Sequence, residues 1–139
     1  MSYATQQDLI DRFGEEELLA LADRDGDGAI DAAVVDRALA DAAGLIDSYI
    51  GARYRLPVDP VPAQLVAAAA AIARWHLYAD APHERVSEAY RATLAWLKDV
   101  AAGRADLDAA GVEPAADESG APVFDGAPRV FSADSLRDY

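Results

Sequence analysis

Residues 61–80, V-P-A-Q-L-V-A-A-A-A-A-I-A-R-W-H-L-Y-A-D, limit what this chain can become more than any other stretch. Pro62 has a fixed φ and no N–H, which suits the first turn of a helix, and Asp80-Ala81-Pro82 forbids continuation. Between those stops Arg74 is the lone charge and no β-branched run occurs, so helix is strongly favoured and most faces can be buried. Alanine contributes little transfer free energy, and Arg74, His76 and Gln64 interrupt the run, so a membrane span is not expected. The segment reads as the central helix of a bundle, with Leu65, Ile72, Trp75 and Leu77 supplying bulk and the alanines letting neighbours approach.

The flanking sequence supplies those neighbours. Thr5 and Asp8 form a capping-box pattern ahead of Leu9, Ile10 and Phe13, and Gly14 is a stop. A short helix from Glu15 to Ala22 places three acids at its N-terminus, with Leu18, Leu19 and Leu21 pointing inward. A long helix follows from Asp31 to about Arg53, with Val35, Ala38, Leu39, Ala42, Ile46, Tyr49 and Ile50 as its apolar stripe. Gly44 and Gly51 are weak points in it or sites of close packing. The connector from Arg55 to Pro62 holds three prolines and reads as extended. A last helix spans about His83 to Ala102, faces inward through Val86, Tyr90, Thr93, Leu94, Leu97 and Val100 or Ala101, and stops at Gly103. The expectation is an all-α fold: a bundle of four to five helices, two or three of them long, over residues 1–103, and an extended C-terminal arm over 104–139.

Between the second and third helices, Asp23-Arg24-Asp25-Gly26-Asp27-Gly28-Ala29-Ile30-Asp31 matches three quarters of an EF-hand calcium loop. Asp23, Asp25, Asp27, the Ala29 carbonyl and Asp31 would be the ligands, with Asp36 as a neighbouring supplement. The twelfth position is Val34, where that motif needs a bidentate glutamate. The same residues also suit a plain tight turn, with Asp31 as N-cap of the next helix. A small calcium-binding helical module with a degenerate loop is therefore one reading; no cofactor is required by the other.

The chain has no cysteine, so disulfides and thiolate chemistry are absent. Its formal net charge is −13, with 12 basic against 25 acidic residues, which argues against wrapping nucleic acid. An acidic lining would still let a duplex slide past without sticking. No basic and apolar leader opens the sequence, so synthesis in the cytoplasm is the expectation. His76 and His83 belong to no metal or catalytic pattern, and neither a nucleophile elbow nor a phosphate-cradling loop occurs, so no enzyme is expected.

Residues 106–122 are rich in Gly, Pro, Asp, Glu, Ser and Ala and show no helical period. The end regains apolar character at Val123-Phe124 and again in Arg129-Val130-Phe131-Ser132-Ala133-Asp134-Ser135-Leu136-Arg137-Asp138-Tyr139. Such an arm suits docking on another subunit, through a short strand around Val130 and Phe131 or through anchors in a groove; the alternative is that it folds back on its own bundle. Val123, Phe124, Arg129, Val130, Phe131, Ser132, Asp134, Ser135, Leu136 and Tyr139 are its candidate contact residues.

Tyr3-Ala4-Thr5 with Asp8-Leu9-Ile10 and Phe13-Gly14, the Asp-Arg-Asp-Gly-Asp-Gly turn, Ile46-Asp47-Ser48-Tyr49-Ile50, Arg53-Tyr54-Arg55-Leu56-Pro57 with Val61-Pro62, and the terminal Arg-Val-Phe-Ser-Ala-Asp-Ser-Leu occur in one order. In that order they resemble the small proteins encoded in the head region of Mu-like phages and prophages. The family is similar to the head-to-tail connector (adaptor) proteins of long-tailed phages. That resemblance implies a structural protein of the virion neck, assembled in the host cytoplasm as a homo-oligomeric ring, commonly of twelve copies, beneath the portal. DNA would cross its lumen without specific binding, a tail terminator or stopper protein would attach, no membrane would be involved, and the arm would reach the portal or an adjacent protomer.

Overall fold

The computed structural model describes residues 2–78 and 81–107. Five helices and no strand lie among them, as the hydrophobic periods require: α1 Gln6–Phe13, α2 Glu15–Ala22, α3 Ala32–Ile50, α4 Ala63–Leu77 and α5 Glu84–Ala101. The arm beyond Leu107, with its expected strand and all of its candidate contact residues, lies outside the described residues.

Local chemistry sets the helix ends. The Thr5 hydroxyl accepts the Asp8 N–H at 3.1 Å while the Asp8 carboxylate accepts the Thr5 N–H at 2.8 Å, closing the capping box of α1. Gly14, at φ 96°, ends α1 and starts α2 in a conformation that a side chain would strain. Asp31 caps α3 by accepting the Ala33 N–H at 3.1 Å. At the end of α5, Gly103 takes φ 85°; its N–H reaches the Val100 carbonyl and the Arg104 N–H reaches the Asp99 carbonyl, the two bonds of a Schellman motif.

Helices α3 and α4 form the principal pair, α5 packs on both, and the α1–α2 hairpin lies against α3 and α4. Small residues permit the close approach: Ala42 and Ala43 of α3 and Ala69, Ala70 and Ala73 of α4 are buried. Bulk comes from Leu9, Ile46, Ile50, Leu65, Ile72 and Leu97, none more than 1 % exposed. Every buried residue among those described is apolar or aromatic, so the core rests on burial and packing.

Several expectations shift by a turn or a face. The central helix ends at Leu77 rather than near Asp80, because Tyr78 turns to extended backbone and carries its hydroxyl to Glu17. Helix α3 ends at Ile50, where the Arg53 and Tyr54 amides fold back onto the Ile50 carbonyl. The connector is not a plain extended link: the peptide bonds before Pro57 and Pro60 are cis, and Val58 enters the core. In α2, Ala22 is buried where Leu19 was expected, since Leu18 and Ala22 share a face four residues apart. Trp75, Tyr49 and Tyr90 are half-buried rather than core.

The two glycines of the long helix separate. A methyl at Gly51 would stand 2.9 Å from the Asp47 carbonyl oxygen and 3.2 Å from Leu56 Cδ1, whereas Gly44 faces open space. Gly44→Ala is therefore expected to raise the unfolding free energy by about 0.5–1 kcal/mol, the propensity difference of an exposed helix interior. Urea unfolding of the purified protein measures it, and a loss of stability would mean that the Gly44 face is covered.

Candidate functional site

The acidic turn between α2 and α3 folds on its own amides. Gly26 and Gly28, at φ 74° and 80°, turn the chain so that carboxylate oxygens of Asp23, Asp25 and Asp27 lie within 4.8 Å of one another. The Asp27 N–H donates to Asp23 at 3.0 Å and to Asp25 at 3.3 Å, the Gly28 N–H to the second Asp23 oxygen at 3.0 Å, and the Ala29 N–H to Asp27 at 3.0 Å. Desolvation pushes the Asp23 carboxyl up, but its amide hydrogen bonds from Gly28 and Asp27 outweigh that and hold it below the usual range. For Asp25 the Asp27 amide works downward and is outweighed by desolvation and the Asp27 charge, which leave it raised.

Three clustered carboxylates offer hard oxygens of the kind Ca²⁺ takes. The rest of the expected ligand set is placed differently. The Asp31 carboxylate is committed to capping α3, its N–H closes the loop onto the Ala22 carbonyl at 2.9 Å, and Val34 at the twelfth position packs against the core. Ala29 stays exposed in the loop, as does Asp36 on the first turns of α3.

A second surface lies along α4 and α5. Trp75 stacks on Tyr90 with ring centroids 4.1 Å apart and planes 7° from parallel, and His76 meets the Trp75 edge at 5.5 Å. The same two helices also border a groove of about 330 Å³ lined by Gln64, Ala67, Ala68, Ala92, Thr93 and Trp96. Another cleft, of about 400 Å³, is lined by His76 together with Asp31, Asp41, Arg24 and Arg37. The exposed edge of the connector carries Leu56, 39 % accessible.

Two long-range clusters tie the elements together. Arg74 of α4 forks onto Glu17 of α2 at 2.6 and 2.9 Å, Tyr78 donates to the same carboxylate at 3.2 Å, and the guanidinium lies 4.3 Å from the Phe13 ring centroid. Arg53 donates to the Val100 carbonyl at 2.6 Å, the Ala105 carbonyl at 3.0 Å and the Asp106 carboxylate at 2.8 Å, and Tyr54 accepts the Leu107 N–H at 3.2 Å. Sequence reasoning singled out neither cluster as a site; an Arg-Tyr pair beside a proline-rich connector was the available signal.

This body, and part of the sequence beyond it, coincide with a known family. The model of the family described as "Bacteriophage Mu, Gp36" matches residues 3–125. The chain belongs to the Mu Gp36 family. Gene product J of Escherichia phage Mu is 38 % identical over 107 residues, 76 % of each chain, and the Mu-like prophage FluMu protein gp36 of Haemophilus influenzae is 29 % identical over 137 residues, covering 99 % of this chain and 97 % of its own. The chain is thus a Mu-like phage protein, and no helix among its described residues is long and apolar enough to cross a membrane.

The residues that carried the resemblance acquire physical roles in this Gp36-family body. Tyr3 is 4 % exposed and its hydroxyl donates to the Asp47 carboxylate, joining the N-terminal segment to α3. Burial first, and then Asp47 as acceptor and negative neighbour, push the Tyr3 phenol well above its ordinary value of 10.0. Because the folded form holds this proton more tightly than the unfolded chain does, the contribution is complete below pH 10 and is lost as pH rises beyond it. Tyr3→Phe is expected to cost about 1–2 kcal/mol at neutral pH by removing the hydrogen bond, and to flatten the alkaline fall in stability. Urea unfolding across an alkaline pH series measures both, and an unchanged alkaline slope would exclude Tyr3 as its source.

Proposed function

We propose that this protein is a structural head-to-tail connector (adaptor) of a Mu-like phage or prophage, without catalytic activity. Copies form a ring beneath the portal, DNA passes through the lumen, and the tail terminator or a stopper protein attaches below. The observation that carries the reading is the half-buried aromatic face of α4 and α5, where Trp75, Tyr90 and the groove at Trp96 leave apolar surface on a strongly acidic chain. Surface of that composition suits a contact between protein subunits. The excess of acid over base fits a lumen that repels the DNA backbone.

The test is to mix the full chain with the portal protein of its phage and examine the product by sedimentation and electron microscopy. Rings seated on the portal are expected, and Trp96→Glu should prevent them by placing a charge in the groove. A chain that stays monomeric and leaves the portal bare overturns the proposal.

A second reading, a Ca²⁺-binding turn, is favoured by the convergence of Asp23, Asp25 and Asp27. Asp23, Asp25, Asp27 and the Ala29 carbonyl would hold the ion, which would brace the turn by neutralising three clustered charges. Calorimetric titration with Ca²⁺ should give heat that Asp25→Ala and Asp27→Ala abolish; no heat at millimolar Ca²⁺ removes this reading.

A further inference from the structure

The most heavily bonded long-range side-chain contact among the described residues joins Arg53 and Tyr54, in the turn after α3, to the end of α5 and residues 104–107. The Schellman turn at Gly103 reverses the chain and sends Arg104, Ala105, Asp106 and Leu107 back along the body. Arg53 fits this turn. Its Nη1 bonds the carbonyls of Val100 and Ala105, on either side of the reversal, and its Nη2 bonds Asp106. A cation at that position also complements the C-terminal end of the α5 dipole. The guanidinium lies 5.1 Å from the ring centroid of Tyr54, so the two side chains brace each other. Tyr54 is itself 4 % exposed, and its hydroxyl takes the Leu107 N–H while the Leu107 side chain, 8 % exposed, joins the core.

This arrangement exceeds what ending a helix requires, because the Schellman bonds already satisfy the Asp99 and Val100 carbonyls. What Arg53 and Tyr54 add is a fixed path for the chain between the helix end and Leu107. We propose that Arg53 and Tyr54 latch residues 104–107 to the body, and that portal binding requires this latched exit, the second half resting on the connector reading. The fork geometry makes Arg53 irreplaceable by lysine, whose single ammonium cannot meet two carbonyls and a carboxylate together. Tyr54→Phe deletes only the acceptor for a buried N–H and keeps the ring under Arg53.

The test uses the full chain carrying Arg53→Lys or Tyr54→Phe, with Arg91→Lys as control because the Arg91–Glu84 pair is exposed on α5. Amide hydrogen exchange is followed residue by residue, and affinity for the purified portal protein is measured in parallel. Exchange at Ala105 to Leu107 should accelerate about tenfold or more in both latch variants, with α3, α4 and α5 unchanged. Portal affinity should fall at least about tenfold in both latch variants and stay level in Arg91→Lys. Unchanged exchange at Leu107 in Tyr54→Phe overturns the latch. Accelerated exchange with undiminished portal affinity overturns the claim that portal binding requires the latched exit. Should the wild-type chain not bind the portal at all, the connector reading fails by itself, taking the portal requirement with it, and the exchange data still decide the latch.

Discussion

Ile72→Ala is expected to destabilise the body by about 3–4 kcal/mol, a large share of the roughly 5–15 kcal/mol that holds a domain of this size folded. Ile72 has no exposed surface and sits on α4 amid Ala69, Ala70 and Ala73, which are equally buried. An alanine-rich interface has little spare side-chain volume, so neighbours cannot swing in to fill the space that a lost isoleucine leaves. Helices α3 and α4 already approach closely through Ala42, Ala43, Ala69 and Ala70, and further collapse would drive backbone into backbone. The same rigidity predicts a cost of about 1–3 kcal/mol for Ala69→Leu, because three added carbons meet atoms that cannot retreat. Ala71, one residue from that seam and half-buried, should accept leucine with little change. Urea unfolding of the three variants gives the ordering; an Ile72→Ala loss below about 1 kcal/mol would show that α4 is not the centre of the packing.

That ordering was open to sequence reasoning because it depends on spacing along one helix. Helix number, the Thr5–Asp8 box, the Asp31 cap and the Gly103 stop were legible for the same reason: each is written within a few residues of the backbone groups it satisfies. The acidic turn was legible as a turn, and the clustering of Asp23, Asp25 and Asp27 follows from glycine positions inside the motif. The misplacements are equally physical. Leu19 and Ala22 both fit an inward face by hydropathy, and the packing of α2 in the bundle buries Leu18 and Ala22 instead of Leu19. Tyr78 continues the helical pattern in sequence, yet it leaves the helix because Glu17 offers its hydroxyl a partner. Contacts across tens of residues, such as Arg53 with Asp106 or Tyr3 with Asp47, have no local signature, since a charged or hydroxylated side chain looks the same whether it meets water or a partner. Glu15, Glu16 and Glu17 show this most sharply: all three suit a helix N-terminus, and one of them also holds two helices together.

Arg74→Ala is expected to cost about 2–3 kcal/mol, between the small worth of exposed ion pairs and the larger penalty for breaking buried ones. The pair is mostly sheltered, with the Arg74 and Glu17 side chains 19 % and 25 % exposed. The Glu17 hydrogen bond, opposed in part by desolvation, holds the Arg74 guanidinium firmly in its charged form. Removing the guanidinium strands the Glu17 carboxylate with only Tyr78 as donor, and it strips the cation from the face of Phe13. Arg74→Lys keeps the charge and loses the two-point fork, so it should recover less than half of the loss. A double-mutant cycle with Glu17→Gln should return a coupling of about 1–2 kcal/mol, whereas Glu15→Gln and Glu16→Gln, on exposed positions, should each change stability by no more than about 0.5 kcal/mol. Because the pair connects α2 to α4 while α3, α4 and α5 share the remaining core, hydrogen exchange in Arg74→Ala should show α1 and α2 opening at lower free energy than the other three helices. Equal costs at all three glutamates, or uniform opening of all five helices, would mean that the hairpin is held by its apolar residues alone and that the Arg74–Glu17 geometry contributes nothing to its docking.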